Sequence, residues 1–142
     1  MKKDLSTYPG VVVDTGAWIE YFLETTLGQK FKEKIVEGRI SIYISETVVS
    51  EIFYVLCRRK GYQEAKKKID MVLGGAEVIE GREIQMIAGN YKCERAISLS
   101  DCFTIAASKS MGFPALFKKE EEIHQEINKK AFDVELFFIE DI

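Results

Sequence analysis

Histidine is nearly missing from this chain: its 142 residues include one, His124. Imidazole-driven catalysis therefore has a single candidate, and its pairing with Cys102 as nucleophile comes with no supporting motif. Cysteine is scarce too. Cys57, Cys93 and Cys102 are odd in number and lack metal-ligand spacing, so they read as reduced thiols of an intracellular protein. No apolar run approaches the length of a membrane span, and residues 1–10 hold no apolar core of signal-peptide length. The expected location is the cytoplasm, with no membrane partner. Excess positive charge is also absent. At a net charge of −3, any polyanion must be met by metal ions or by a local patch.

What is present suits a soluble globular domain: 46% hydrophobic and 30% charged residues, with no internal repeat, low-complexity tract or linker. One domain over residues 1–142 is expected. Pro9-Gly10 signals a turn, and Val11-Val12-Val13 is a β-branched apolar run suited to a strand covered on both faces. Helical spacing follows at 17–24 and again at 28–37, where Gly38 closes the segment. A second strand alternates over 40–44. Ser45 or Thr47 then caps a helix whose stripe is Val48, Val49, Ile52, Phe53 and Leu56. Further helices are expected at 62–73, 82–92, from Ser100 to near Gly112, and at 120–129. The remaining strands fall at 76–80, 115–117 and 134–139. Strands alternating with helices imply an α/β layer fold with a mostly parallel sheet, whose ligands sit beyond the carboxyl ends of the strands.

Three acids follow from that placement. Asp14 ends the first strand, where it serves either as a helix-capping acid or as a ligand in the crevice. Glu51 lies mid-helix on the border of the apolar stripe. A carboxylate there is partly desolvated, which is costly unless a cation or donors compensate; the alternative is a surface Glu paired with a neighbour such as Arg58 or Arg59. Asp101 follows Ser100, read as the cap of a small-residue helix containing Ala106 and Ala107. A fourth acid comes from Glu120-Glu121-Glu122, a run that by itself also suits a solvated helix start. Carboxylates forced together repel and raise one another's pKa values, and hard divalent cations relieve that repulsion. Mg²⁺ or Mn²⁺ takes one or two carboxylates and leaves room for water and phosphate, a combination able to hydrolyse phosphodiesters without a His, Ser or Cys nucleophile.

Three segments carry a resemblance: residues 11–19 around Asp14-Thr15, residues 50–56 around Glu51, and residues 99–107 around Asp101. In order and element type the chain resembles PIN-domain proteins, and most closely the toxin ribonucleases of the VapBC toxin–antitoxin type. The resemblance implies an α/β/α sandwich with a five-stranded parallel sheet of order 3-2-1-4-5. It implies Asp14, Glu51 and Asp101 as metal-binding carboxylates for Mg²⁺ or Mn²⁺, with Thr15 as the hydroxyl of the first motif. It also implies a fourth catalytic acid, which alignment on Ile123 places at Glu120, with Glu122 next best. Lys118 and Lys119 stand where the family is usually smaller and more polar, and contact with phosphate is one reading of them. The implied partners are an RNA substrate, a cognate antitoxin and a second copy of the chain. The rival reading is a PIN fold retained as a non-catalytic binding or scaffold module. Val13-Asp14-Thr15-Gly16 superficially matches an aspartic-protease motif, but that chemistry needs two copies across all-β halves. A receiver domain would place two acids near the first strand, and one is found. Trp18, Tyr21, Phe22, Phe137 and Phe138 are expected in the core, and Lys66-Lys67-Lys68 on a solvated helix face or against an RNA backbone.

Overall fold

The computed structural model describes residues 4–142. Its centre is β1 (Gly10–Val13), all four residues of which are buried, as a β-branched run with no polar face requires. Around it run β2 (Ser41–Ser45), β3 (Glu77–Ile79), β4 (Ala115–Phe117) and β5 (Leu136–Phe138). All pair in parallel, in the order β3-β2-β1-β4-β5. Strand order thus reverses at β1, so the crevice beyond its carboxyl end is the natural ligand position.

Helices cover both faces. On one, α1 (Thr15–Phe22), α2 (Thr26–Phe31), α3 (Glu46–Lys60) and α4 (Tyr62–Gly75) pack a core of Trp18, Phe22, Phe31, Ile52 and Leu56 against Val11, Val13 and Leu116. On the other, α5 (Arg82–Glu94), α6 (Leu99–Met111) and α7 (Glu121–Lys129) close over Ala115, Phe117 and Phe138. The expected core aromatics are buried, except that Tyr21 is half-buried. Among the described residues no helix is long and apolar enough to cross a membrane.

Three local departures have identifiable causes. The helix expected at 28–37 begins earlier, where the Thr25 hydroxyl accepts from the Gly28 amide at 3.0 Å. It gives way after Phe31 to a π turn (Lys32–Val36), and Phe31 and Ile35 are both buried. Strands β3 and β5 are shorter than their apolar runs, because pairing covers only the residues opposite β2 and β4. At α6 the capping residue is Ser98, not Ser100: its hydroxyl accepts the Asp101 amide at 3.1 Å. Asp101 is therefore the third helical residue rather than the first.

The far end of α7 is fastened by Arg95. Its guanidinium donates to the carbonyls of Glu126 (3.1 Å), Lys130 (2.6 Å) and Ala131 (3.1 Å) and lies 4.0 Å over the Phe132 ring. The Glu126 carbonyl also accepts the Lys130 amide at 3.0 Å, so Arg95 serves chiefly the carbonyls of Lys130 and Ala131, past the end of α7. Charge-assisted bonds of this kind contribute roughly 1.5–3 kcal/mol. Urea unfolding of Arg95→Ala should accordingly show a loss of about 2–3 kcal/mol. A change within about 0.5 kcal/mol, the usual range for surface substitutions, would contradict this reading.

Candidate active site

Four segments deliver acids to the carboxyl edge of the sheet. Asp14 directly follows β1; Glu51 lies in the second turn of α3; Asp101 is in the first turn of α6; Glu120 and Glu122 stand at the start of α7. Each arrives there for a local reason. The Ser45 hydroxyl caps α3 by accepting the Val48 amide at 3.3 Å, which fixes the turn bearing Glu51. Gly16 lets α1 lie against the end of β4, since a Cβ at that position would sit 2.8 Å from the Cβ of Lys118.

Asp14 occupies the position before α1, yet its side chain makes no capping hydrogen bond. Instead Oδ1 accepts from the Thr104 hydroxyl at 2.7 Å, across from α6. Glu51 forms no ion pair with Arg58 or Arg59 among the described residues; its Oε1 accepts from the Ser100 hydroxyl at 3.1 Å, while Arg58 lies over the Tyr54 ring. Both acids thus turn inward toward α6.

Asp14 and Asp101 are 3% and 4% exposed. Burial drives the Asp14 carboxyl well above the usual range, and the charges of Asp101 and Glu51 push the same way against the Thr104 bond. Asp101 is raised to about 6, again chiefly by burial, with Glu51 and Glu122 adding to it and the Ser98 and Asp14 bonds opposing. Glu120 is an exposed residue whose carboxyl is still raised to about 6, by partial desolvation and by Asp101, Glu122 and Glu51. Asp14, Asp101 and Glu120 are thus each raised by burial and by at least one neighbouring acid. Elevation of this kind is common where carboxylates are gathered for chemistry.

Among the described residues no three His, Cys, Asp or Glu side chains are arranged to hold a metal ion. The donor set nonetheless suits a hard cation. Oδ2 of Asp101 and the hydroxyl of Thr15 are buried without a hydrogen-bond partner, and Mg²⁺ ordinarily takes only one or two carboxylates. A cavity of 660 Å³ lined by Leu5, Tyr8, Lys34 and Phe137 contains none of these acids, so chemistry rather than enclosed volume marks the site.

The two lysines are committed elsewhere. Lys118 pairs with Glu20 at 2.6 Å, and Lys119 with Asp141 at 3.0 Å. They tie the β4–α7 segment to α1 and to the chain's end, which argues against free phosphate-binding groups. Lys66 and Lys68 pair along α4 with Asp70 and Glu64, as a solvated face does. Cys102 is buried with its thiol pushed up to about 11, and His124 stacks on Phe138, so the thiol–imidazole reading has no geometry. Sequence reasoning missed Thr104 and misassigned Ser100. The available signal was the four-residue spacing of the hydroxyl residues Ser100, Thr104 and Ser108 along a small-residue helix, which places them on one face.

A family model described as PIN domain matches residues 11–130. No curated protein sequence matches the chain. Among solved structures it is similar to VapC20 of Mycobacterium tuberculosis, a sarcin–ricin-loop-cleaving toxin, at 18% identity and TM-score 0.66 over 81% of this chain and 93% of that one. It is similar also to VapBC2 of Rickettsia felis bound to a DNA fragment from their promoter (15%, TM-score 0.68, 91% and 98%). A third is the DNA-bound VapBC of Salmonella typhimurium (11%, TM-score 0.70, 93% and 99%). At such identities the likeness is one of fold.

Proposed function

This chain belongs to the PIN-domain family, and from that premise we propose that it is a metal-dependent endoribonuclease, the toxin of a toxin–antitoxin pair. The observation that carries the reading is the meeting of Asp14, Glu51, Asp101, Glu120 and Glu122 at one sheet edge, with the two aspartates buried and the carboxyls of Asp14, Asp101 and Glu120 all held above their usual range. Buried like charges are costly to a fold and are kept where a cation or a reaction uses them.

Asp14, Asp101 and Glu51 would hold Mg²⁺ or Mn²⁺. When bound, the cation supplies Lewis acidity at the scissile phosphate and neutralises the acids. Glu120, whose carboxyl is raised to about 6, accepts a proton from the attacking water or helps to seat a second ion; Glu122 is its alternate. The Thr15 hydroxyl, buried without a partner, is available to orient substrate or the neighbouring Asp14 carboxylate. The antitoxin would silence the enzyme by covering the acids or displacing the cation, with an arginine paired to them. Support for that partner comes from neighbours solved as toxin–antitoxin complexes. Exposed Tyr54, Tyr62 and Met71 on α3 and α4 offer apolar surface to it or to a second copy of the chain.

The alternative, a binding module without catalysis, draws on the lack of a three-ligand metal cluster among the described residues. Incubating purified protein with a mixed RNA pool separates the two. The nuclease cuts RNA with Mn²⁺ or Mg²⁺, stops in excess EDTA and recovers when the cation is restored. A protein that leaves RNA intact under all three conditions is the binding module.

A further inference from the structure

Helix α6 presents two hydroxyls one turn apart, at Ser100 and Thr104, and neither follows the habit of hydroxyls within helices. There, Ser and Thr commonly bond back to the carbonyl four residues earlier. Here the Ser100 hydroxyl donates to Glu51 of α3 at 3.1 Å, and the Thr104 hydroxyl donates to Asp14 at the end of β1 at 2.7 Å. Thr104 is wholly buried and Ser100 nearly so. Asp101 lies between them in sequence, on the same first turns of the helix. One helix therefore carries one acid of its own and clasps one acid from each of two other elements.

We propose that Ser100 and Thr104 are positioning residues, which hold the Glu51 and Asp14 carboxylates toward Asp101 before any cation or substrate arrives. The physical need is plain. Three like-charged groups, two of them buried, repel one another, and without the Thr104 donor the Asp14 carboxyl would turn away from Asp101. A hydroxyl donor fixes one oxygen and leaves the second lone-pair set free for a ligand. Outer partners of this kind typically set metal affinity by 10–100-fold. The inference rests on the nuclease reading for what the carboxylates are held ready to do, but the holding itself is separable from it.

Thr104→Val keeps the shape and removes the donor; Thr104→Ser keeps the donor and serves should the valine variant fold poorly. Crystal structures of the cation-free proteins read the holding directly. The Asp14 carboxyl should leave its place in Thr104→Val and keep it in Thr104→Ser; an unmoved Asp14 in the valine variant overturns the proposal. Calorimetric titration with MnCl₂ reads the consequence. Affinity should fall by at least about tenfold in Thr104→Val, by a similar factor in Ser100→Ala, and return to within about threefold of the original in Thr104→Ser. Unchanged affinity in folded Thr104→Val also overturns it. If the unaltered protein takes up no Mn²⁺, the metal reading of the site fails, and the crystallographic comparison alone decides the role of the hydroxyls.

Discussion

Asp101→Asn should make the cation-free protein more stable at about pH 8 while abolishing most of its RNA cleavage. The two effects have one source. Asp101 is buried, its carboxyl is raised to about 6 chiefly by that burial, and the charges of Glu51 and Glu122 add to it. At pH 8 the folded state must hold it ionised beside other acids. An amide of the same shape relieves that cost, which is on the order of 2 kcal/mol for a shift of this size, or a rise of several degrees in Tm at this chain length. The same change removes a charged oxygen ligand, and cleavage should fall by about a hundredfold or more. Asp14→Asn should behave alike. An ordinary structural acid would show the reverse: loss of stability, with activity reduced only as far as folding is.

The second large effect is linkage between protons, cations and stability. An acid whose pKa is higher folded than unfolded contributes stability that is full below the unfolded value, near 4, and is lost as pH rises through the folded value. For Asp101 and Glu120 that loss runs from about pH 4 to somewhat above 6, and for Asp14 it continues higher. Glu20 and Asp133 run the other way, because their partners Lys118 and Lys109 lower them, so they lose their contribution only as pH falls below the usual carboxylate range. Between about pH 5 and about pH 8 the raised acids dominate. Asp101 alone should cost the cation-free protein on the order of 1–2 kcal/mol there, about 5 °C in Tm. Saturating Mn²⁺ should remove the decline, adding about 2.7 kcal/mol at a hundred times Kd. Its benefit should grow with pH, since cation and proton compete for the same oxygens. A cation-free Tm that stays level or rises across that interval would contradict this account of the site.

How far the sequence reveals such a site depends on the range of the interaction. Val11-Val12-Val13 announces a doubly covered strand because its burial depends only on its own composition. Asp14, Glu51 and Asp101 were legible because strand ends and helix starts in a parallel sheet converge on one edge. The cap of α6 is Ser98 rather than the expected Ser100; the pattern Ser98-Leu99-Ser100-Asp101, a serine with an acid three residues on, carried the signal that was overlooked. The partners were not legible. Whether Thr104 meets Asp14 depends on how deeply α6 packs across β1, and whether Lys118 meets phosphate or Glu20 depends on α1 and β4 approaching at Gly16. Both are contacts between elements distant in sequence, and no local pattern encodes them.

The most direct test of the central claim is anomalous diffraction from crystals grown with MnCl₂ near pH 8. The account requires a manganese peak among Asp14, Asp101 and Glu51, within coordination distance of at least one of the aspartates. Clear density for all three side chains with no anomalous signal between them, from protein that is folded and saturated with the salt, would contradict it.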